Sequence, residues 1–403
     1  MPTYDFIPTD SLFFRDQRPL AAGFSFGRGA NWPLPTVLHS AIRTALLAAR
    51  PEGLPPRISR PGNARHGKPH GDLVAPDFQW LNLQGPFPVD KSGKHYFPIP
   101  RDLVAAEGGK AARLAIQRNS GGNNLPRPLT HLAVSLTPPT KETLGEWVSR
   151  EFYQSYLGDE DPLSAPHRAE LWDVEHRIGV ALDPDTHTAV EHRLYAAEHL
   201  RVRDGVRLRF RISEDPHGKE KADLRGLTLQ LGGEQRFGRV EAAETELQLP
   251  KTEIAGALVK WILLTPAIFI HGWRPGWVDD AGRVLLRVVD KARRAERRRP
   301  RRESGWKYDG SSDTAEPIGA TLVAAVVGKP QIVGGWDTQA KPTQLAVPSG
   351  SVFYFEADCE SEAKKLAGVL QGRCRSDFFG EKGLGLGVCG AWKKVENNAS
   401  TML

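Results

Sequence analysis

Residues 385–390 read GLGVCG, a literal match to the G-x-G-x-x-G fingerprint of dinucleotide-binding folds, and whether the match holds decides the fold. A working fingerprint opens a helix, leads into another strand and is followed by an acidic residue about 20 positions on. This chain ends at Leu403, too soon for that unit. The glycines are better suited to letting another backbone, or a phosphate chain, approach closely. Upstream, LVAAVV, PQIVGGW and SVFYFEA read as strands and SEAKKLAGVLQ as a helix. Strands outnumber helices and do not alternate with them in βαβ order, so the expected class is α+β.

Working outward, PTVLHSAIRTALLAA (35–49) places Val37, Leu38, Ala41, Ile42, Ala45 and Leu46 at helical spacing, with Pro35 and Thr36 as start signals. From about 50 to 130 the chain is rich in Pro and Gly, which predicts an insertion of long loops with short strands near FQWLNL and KHYFPIP. KETLGEWVSREFYQSYLG predicts a second helix, and DEDPLSAP marks a boundary. We therefore expect one domain over 1–172 and another over 173–403. The second opens with a β hairpin through RIGVALD and LYAAEHLRV.

At 403 residues with a net charge of +6, the chain has room for two or three cores and a mild preference for a polyanionic partner. No apolar run approaches the ~18 residues of a membrane span. The N-terminus lacks a basic region followed by an apolar stretch, so a cytoplasmic protein is expected. Cys359, Cys374 and Cys389 are spaced too widely for a zinc site and read as buried, reduced thiols. KARRAERRRPRR (291–302) carries eight basic residues and one acid, a composition shared by phosphate-tracking segments and plain solvated loops.

No catalytic set emerges. His167, His176, His187, His192 and His199 share one segment without metal-ligand spacing, and there is no nucleophile elbow, P-loop or close carboxylate pair. No metal or cofactor is expected. The binding candidates are basic and glycine-rich. Arg236 follows the turn LGGEQ, and GWRPGW sets Arg274 between Trp273 and Trp277, suiting phosphate binding and base stacking. Thr36 sits at a helix start, where free amides favour a phosphate, with Arg43 two turns on. In the closing run Gly383 and Gly385 alternate with Leu384 and Leu386, which predicts a bare backbone face for a sugar-phosphate chain, with Lys382 beside it. PTDSLFFRDQRPL (8–20) surrounds a short apolar run with charges, Asp10, Arg15, Asp16 and Arg18.

FFRDQRP (13–19), PTVLHSAIR, RIGVALD, LYAAEHLRV, GGEQR, TPAIFIHGW, VPSGSVFYFE and GEKGLGLGVCGAW, in that order, resemble successive segments of one family. It is the RAMP subunit that caps the 5′ tag of the guide RNA (crRNA) in type III-B (Cmr) CRISPR effector complexes. Gln17 and Ser40 stand where the family pattern has glycine. The resemblance implies two tandem ferredoxin-like domains and a single copy in a hetero-oligomeric ribonucleoprotein. It also implies docking to the large polymerase/cyclase-like subunit and to a backbone RAMP subunit, and no nuclease activity. Arg43 is the arginine it maps to the helix, while Arg15 and Arg18 would face RNA or order the strand end, with Asp16 as partner. Two other readings compete. One is a metal-independent RAMP endoribonuclease using His39 on the first helix as acid-base group; the other is a purely structural adaptor.

Overall fold

The computed structural model describes residues 1–15, 26–27, 30, 32–50, 78, 80–138, 140–158, 163, 166, 169–213, 223–289, 315–334, 336–337, 339–340 and 343–395. Asp16, Gln17, Arg18, His167 and the 291–302 basic block lie outside the described residues. In chain order the main elements are β1 (Thr3–Pro8), α1 (Pro35–Ala48), β2 (Leu83–Val89), α2 (Arg150–Leu157), β3 (Trp172–Leu182), β4 (Ala189–Val202), β5 (Arg207–Ile212), β6 (Thr228–Gln230), β7 (Phe237–Ala242), β8 (Leu258–Leu263), β9 (Ala320–Val326), β10 (Val352–Ala357), α3 (Glu360–Leu370), β11 (Arg373–Cys374) and β12 (Leu386–Ala391).

They build two five-stranded sheets, ordered β6-β7-β1-β5-β2 and β9-β10-β8-β12-β11, with every pairing antiparallel. The chain is α+β, as expected. Leaving aside one edge strand in each, both sheets set their first strand between the fourth and the third: β7-β1-β5-β2 and β12-β8-β10-β9. The expected boundary at 172/173 falls within the sequence span of the first sheet. β5, β6 and β7 lie beyond it yet belong to the sheet of β1, so the first sheet closes only at Ala242. The hairpin β3–β4, predicted from its alternating runs, is an excursion between β2 and β5, paired from Trp172↔Val202 to Leu182↔Ala189.

Each sheet buries what its periodicity exposes. On α1, Leu38, Ala41 and Ile42 pack on Phe6, Leu208, Phe210 and Val240 of the first sheet. Strand alternation divides the second sheet between two cores. Val259, Trp261, Leu263, Phe353 and Phe355 meet Ala363, Leu366 and Leu370 of α3. Ile262, Val352, Tyr354, Leu386 and Val388 meet Phe97, Leu103, Ile116, Val148, Tyr153 and Tyr156. Much of the described part of the stretch expected to be a loop insertion is therefore the layer that covers the second sheet. Its short strands pair as Tyr96–Pro98 with Trp147–Ser149, and Ala115–Arg118 with His131–Val134. The second helix is shorter than its pattern predicted. The Ser149 hydroxyl accepts from the Phe152 amide at 3.3 Å and starts α2 there, because the residues just before it are drawn into the Trp147–Ser149 strand. Cys359 is exposed, correcting the expectation of three buried thiols, while Cys374 is half-buried and Cys389 buried.

The closing glycines also depart from expectation. Gly383 and Gly385 are buried and have φ of +94° and +74°, and only then does β12 begin. A Cβ on Gly385 would strike the Ser376 amide nitrogen and come within 2.9 Å of its Cα. One on Gly387 would strike the Trp261 indole. The face expected to be bare is occupied by the protein itself, because before the strand begins Gly383 packs against Pro35 and Leu83 and Gly385 against Ser376. We expect Gly385→Val to lower the thermal midpoint by several degrees, since the left-handed backbone and the clash together cost on the order of 1–3 kcal/mol or more. A midpoint within a degree of wild type, read by circular dichroism, would show the turn to be adaptable.

A second expectation concerns β1 and β5, whose register sets Asp5 opposite Arg209. Arg209 grips the Asp5 carboxylate through Nε and Nη2, both at 2.8 Å, and each side chain is 2% exposed. Asp5→Ala strands a buried guanidinium and should cost about 3–5 kcal/mol in urea unfolding, whereas Asp5→Leu with Arg209→Met should recover most of it. A loss under ~1 kcal/mol for the single variant would refute this account.

Candidate nucleic-acid interface

Two distant segments meet at the start of α1. Pro35 occupies its first turn, Leu34 precedes it in extended conformation, and among the described residues no side chain caps the terminus. Leu38, His39, Ala41 and Ile42 turn inward. Thr36, Ser40 and Thr44 form an outer hydroxyl stripe, in which the Ser40 hydroxyl donates to the Thr36 carbonyl and that of Thr44 to the Ser40 carbonyl, each at 2.9 Å. Against this terminus lies the turn Gly380–Lys382, entered through Phe379 at φ +59°. A Cβ on Gly383 would lie 2.9 Å from Pro35 Cβ and 3.0 Å from the Leu83 carbonyl oxygen, so glycine here permits the approach. The Thr265 hydroxyl donates to the Gly383 carbonyl at 2.7 Å and accepts from the Leu386 amide at 2.9 Å, fixing the turn to the second sheet.

This junction gathers Thr36, His39, Arg43, Lys382 and Gly383. Lys382 Nζ stands 4.5 Å over the Phe379 ring. His39 is 1% exposed, and its Nε2 lies 3.2 Å from the Leu81 carbonyl oxygen. Burial, first of all, lowers its pKa to about 4; the Leu81 bond opposes this, and the charges of Lys382 and Arg43 add to the lowering. His39, expected to contact RNA and offered in the endoribonuclease reading as the acid-base group, is instead a buried neutral brace between α1 and the Leu81 turn, because its position on the helix points inward.

The opening run resolves differently. Leu12, Phe13 and Phe14 are buried and Arg15 is exposed. The Gly233 amide donates to the Phe13 carbonyl at 2.8 Å, and a Cβ on Gly232 would strike that same oxygen. Asp10 is the anchor. Its Oδ2 takes Arg236 Nη1 at 3.0 Å and Arg177 Nη2 at 3.5 Å, and its Oδ1 takes Arg201 Nη2 at 3.1 Å. Arg236 also reaches Glu234 at 3.3 Å, so the arginine expected to reach a phosphate is committed to two carboxylates. His199 is buried, 3.3 Å from the Ser11 hydroxyl and 3.2 Å from Glu234 Oε2, with its ring on Phe13 at 5.0 Å. Sequence reading missed Arg177 and Arg201; the visible signal was their alternation with apolar residues along β3 and β4.

Arg274 is 8% exposed, with Nη2 on Asp280 Oδ1 at 2.6 Å. Trp277 is half-buried against the core under α3, stacked on Phe355 at 6.0 Å and edge-on to Trp261 at 5.5 Å, and its indole N–H donates to the Arg375 carbonyl at 3.1 Å, so its ring is already engaged within the protein. Among the described residues no group of His, Cys, Asp and Glu is arranged to hold a metal ion.

No curated protein matches the chain. Among solved structures it is similar to a chain of the type III-B Cmr-beta complex bound to cognate target RNA and AMPPnP, at 16% identity over 92% of this chain and 90% of that one, with a TM-score of 0.45. It is also similar to a chain of the Csm3–Csm4 subcomplex of the type III-A interference complex, at 12% identity over 89% and 94%, with a TM-score of 0.34. The model of the CRISPR-associated protein family Cas_Cmr3 matches residues 4–392, a span that takes in both sheets, the α1 junction and the closing strand, and the chain therefore belongs to the Cas_Cmr3 family.

Proposed function

We propose that this chain is a non-catalytic guide-RNA-binding subunit of a type III-B CRISPR effector complex. In this reading one copy holds the 5′ tag of the guide and bridges the large polymerase-like subunit to the backbone RAMP subunits. The observation that carries it is the junction of α1 with the Phe379–Gly385 segment, in a chain of the Cas_Cmr3 family. Because Pro35 has no N–H and the Val37 and Leu38 amides donate to the Leu34 carbonyl, the helix start presents the Thr36 amide and the positive end of the dipole; a hydroxyl stripe runs beside it, and Arg43 and Lys382 supply charge. Such groups hold a sugar-phosphate backbone without reading bases. The shared strand order supports the ferredoxin-like reading of both sheets, and among the described residues α1 follows the first strand of one and α3 precedes the fourth strand of the other, as the helices of that motif do.

Arg43→Ala and Lys382→Ala should each weaken binding of a tagged guide RNA by about tenfold and reduce the salt slope by about one, read by fluorescence anisotropy from low to high salt. Unchanged affinity and slope in both folded variants would overturn the proposal. The RNA should stay intact with EDTA present, and metal-independent cutting that disappears in His39→Ala would favour the endoribonuclease reading.

The brace role of His39 has its own signature. Folded protein keeps the imidazole neutral down to about pH 4, while its ordinary pKa is 6.5, so the unfolded chain takes up the proton first as pH falls. Stability from this group is full above about 6.5 and is lost toward 4, at about 1.4 kcal/mol per pH unit at most. His39→Gln should flatten that acid decline in urea midpoints measured from pH 7 to 4.5; an unchanged decline would remove His39 as its source.

A further inference from the structure

Arg127, His271, Trp273, Arg274 and Asp280 line a cavity of about 460 Å³. The size suits a small-molecule site, and the cavity shares no residue with the α1 junction. Its walls are held by the protein. Gly272, at φ +73°, turns the chain between His271 and Trp273. Both the Ile270 and Gly276 amides donate to Asp377 Oδ2, at 3.0 and 2.8 Å. Opposite, Asp279 Oδ1 accepts from the Ala281 and Arg283 amides at 3.0 and 2.8 Å. The Thr130 amide donates to the Val323 carbonyl at 2.9 Å, tying the Arg127 segment to β9.

The charge balance points one way. Two guanidiniums face a single carboxylate, and that carboxylate, Asp280, has a side chain 99% exposed, so water screens its pull on Arg274. Arg274 is otherwise enclosed, and its buried Nη1 has no hydrogen-bond partner among the described residues. An unsatisfied buried donor is unfavourable in the protein alone and favourable once an anion meets it. Trp273, which packs in part against the core under α3 but, unlike Trp277, has no ring partner among the described residues, and the exposed His271 add aromatic rings to the same wall, the partner a nucleobase needs beside its phosphate. From these residues we infer that the cavity is a nucleoside monophosphate site, with the phosphate on Arg274 and Arg127 and the base against Trp273. The ligand is either a free nucleotide or the terminal nucleotide of an RNA strand, which present the same chemistry.

Calorimetry on the full chain tests this with AMP, adenosine and inorganic phosphate. AMP should bind at least tenfold more tightly than either fragment. Arg274→Met should lose AMP binding by tenfold or more and leave the thermal midpoint unchanged or higher, because it removes the unsatisfied donor. Arg127→Gln, at an exposed position, should weaken AMP with the fold intact. An RNA oligonucleotide with a 5′-phosphate that displaces AMP, where the dephosphorylated strand does not, assigns the site to a strand end; failure of both to displace it assigns it to free nucleotide. Absence of AMP binding at millimolar concentration, or AMP binding equal to wild type in folded Arg274→Met and Arg127→Gln, overturns the inference. These readouts are independent of the guide affinity measured with Arg43→Ala and Lys382→Ala, so either proposal can fail alone.

Discussion

The Asp5–Arg209 pair fixes the first sheet. Two residues 204 positions apart are register partners on adjacent strands, and their bidentate contact is 2% exposed on both sides. A buried ion pair is weak as a source of net stability but unforgiving of a shift, because slipping either strand by one residue leaves a charge in the core. The Thr245 hydroxyl accepts a further bond from Arg209 at 2.6 Å. With β1 and β5 locked, β7 and β2 take the flanking places, α1 covers the face, and the β3–β4 hairpin leaves and returns at a defined edge.

The junction at α1 depends on that lock. β2 supplies the Leu83 carbonyl that Gly383 approaches, and β8 leads to Thr265, which holds the same turn from the second sheet. A contact made of glycine, proline and backbone tolerates little adjustment, so the two sheets hold the turn in place together. A second tie runs through the layer over the second sheet. Tyr156 and Tyr354 both donate to Asp102 Oδ2, at 2.7 and 2.6 Å, and Lys260 Nζ lies 3.7 Å over the Tyr156 ring. The covering layer is thereby held by polar contacts as well as by its apolar core.

Charge is distributed unevenly between structure and surface. Arg177, Arg201 and Arg236 are spent on Asp10 and its neighbours Glu175 and Glu234, which pins the hairpin base to the opening run. Arg43 and Lys382 stay beside the helix start, and Arg274 sits in the wall of a separate cavity. The three groups of basic residues thus stand in three different environments, although in the sequence they look alike.

Helical spacing over 35–49, alternation along both arms of the hairpin and the apolar runs of the second half determined α1, β3–β4, the later strands and the α+β class, because periods of 3.6 and 2 are local properties that survive in any context. The order of the segments was equally legible and carried the family. Tertiary structure alone decided that β5 to β7 belong with β1, that His39 points inward, that Arg236 meets Asp10, and that Gly385 bends against Ser376 instead of presenting an open face. Each of these depends on a partner brought in from elsewhere in the fold, and pairing across so long a loop is selected by burial and charge in the assembled sheet, leaving no mark in the neighbouring residues.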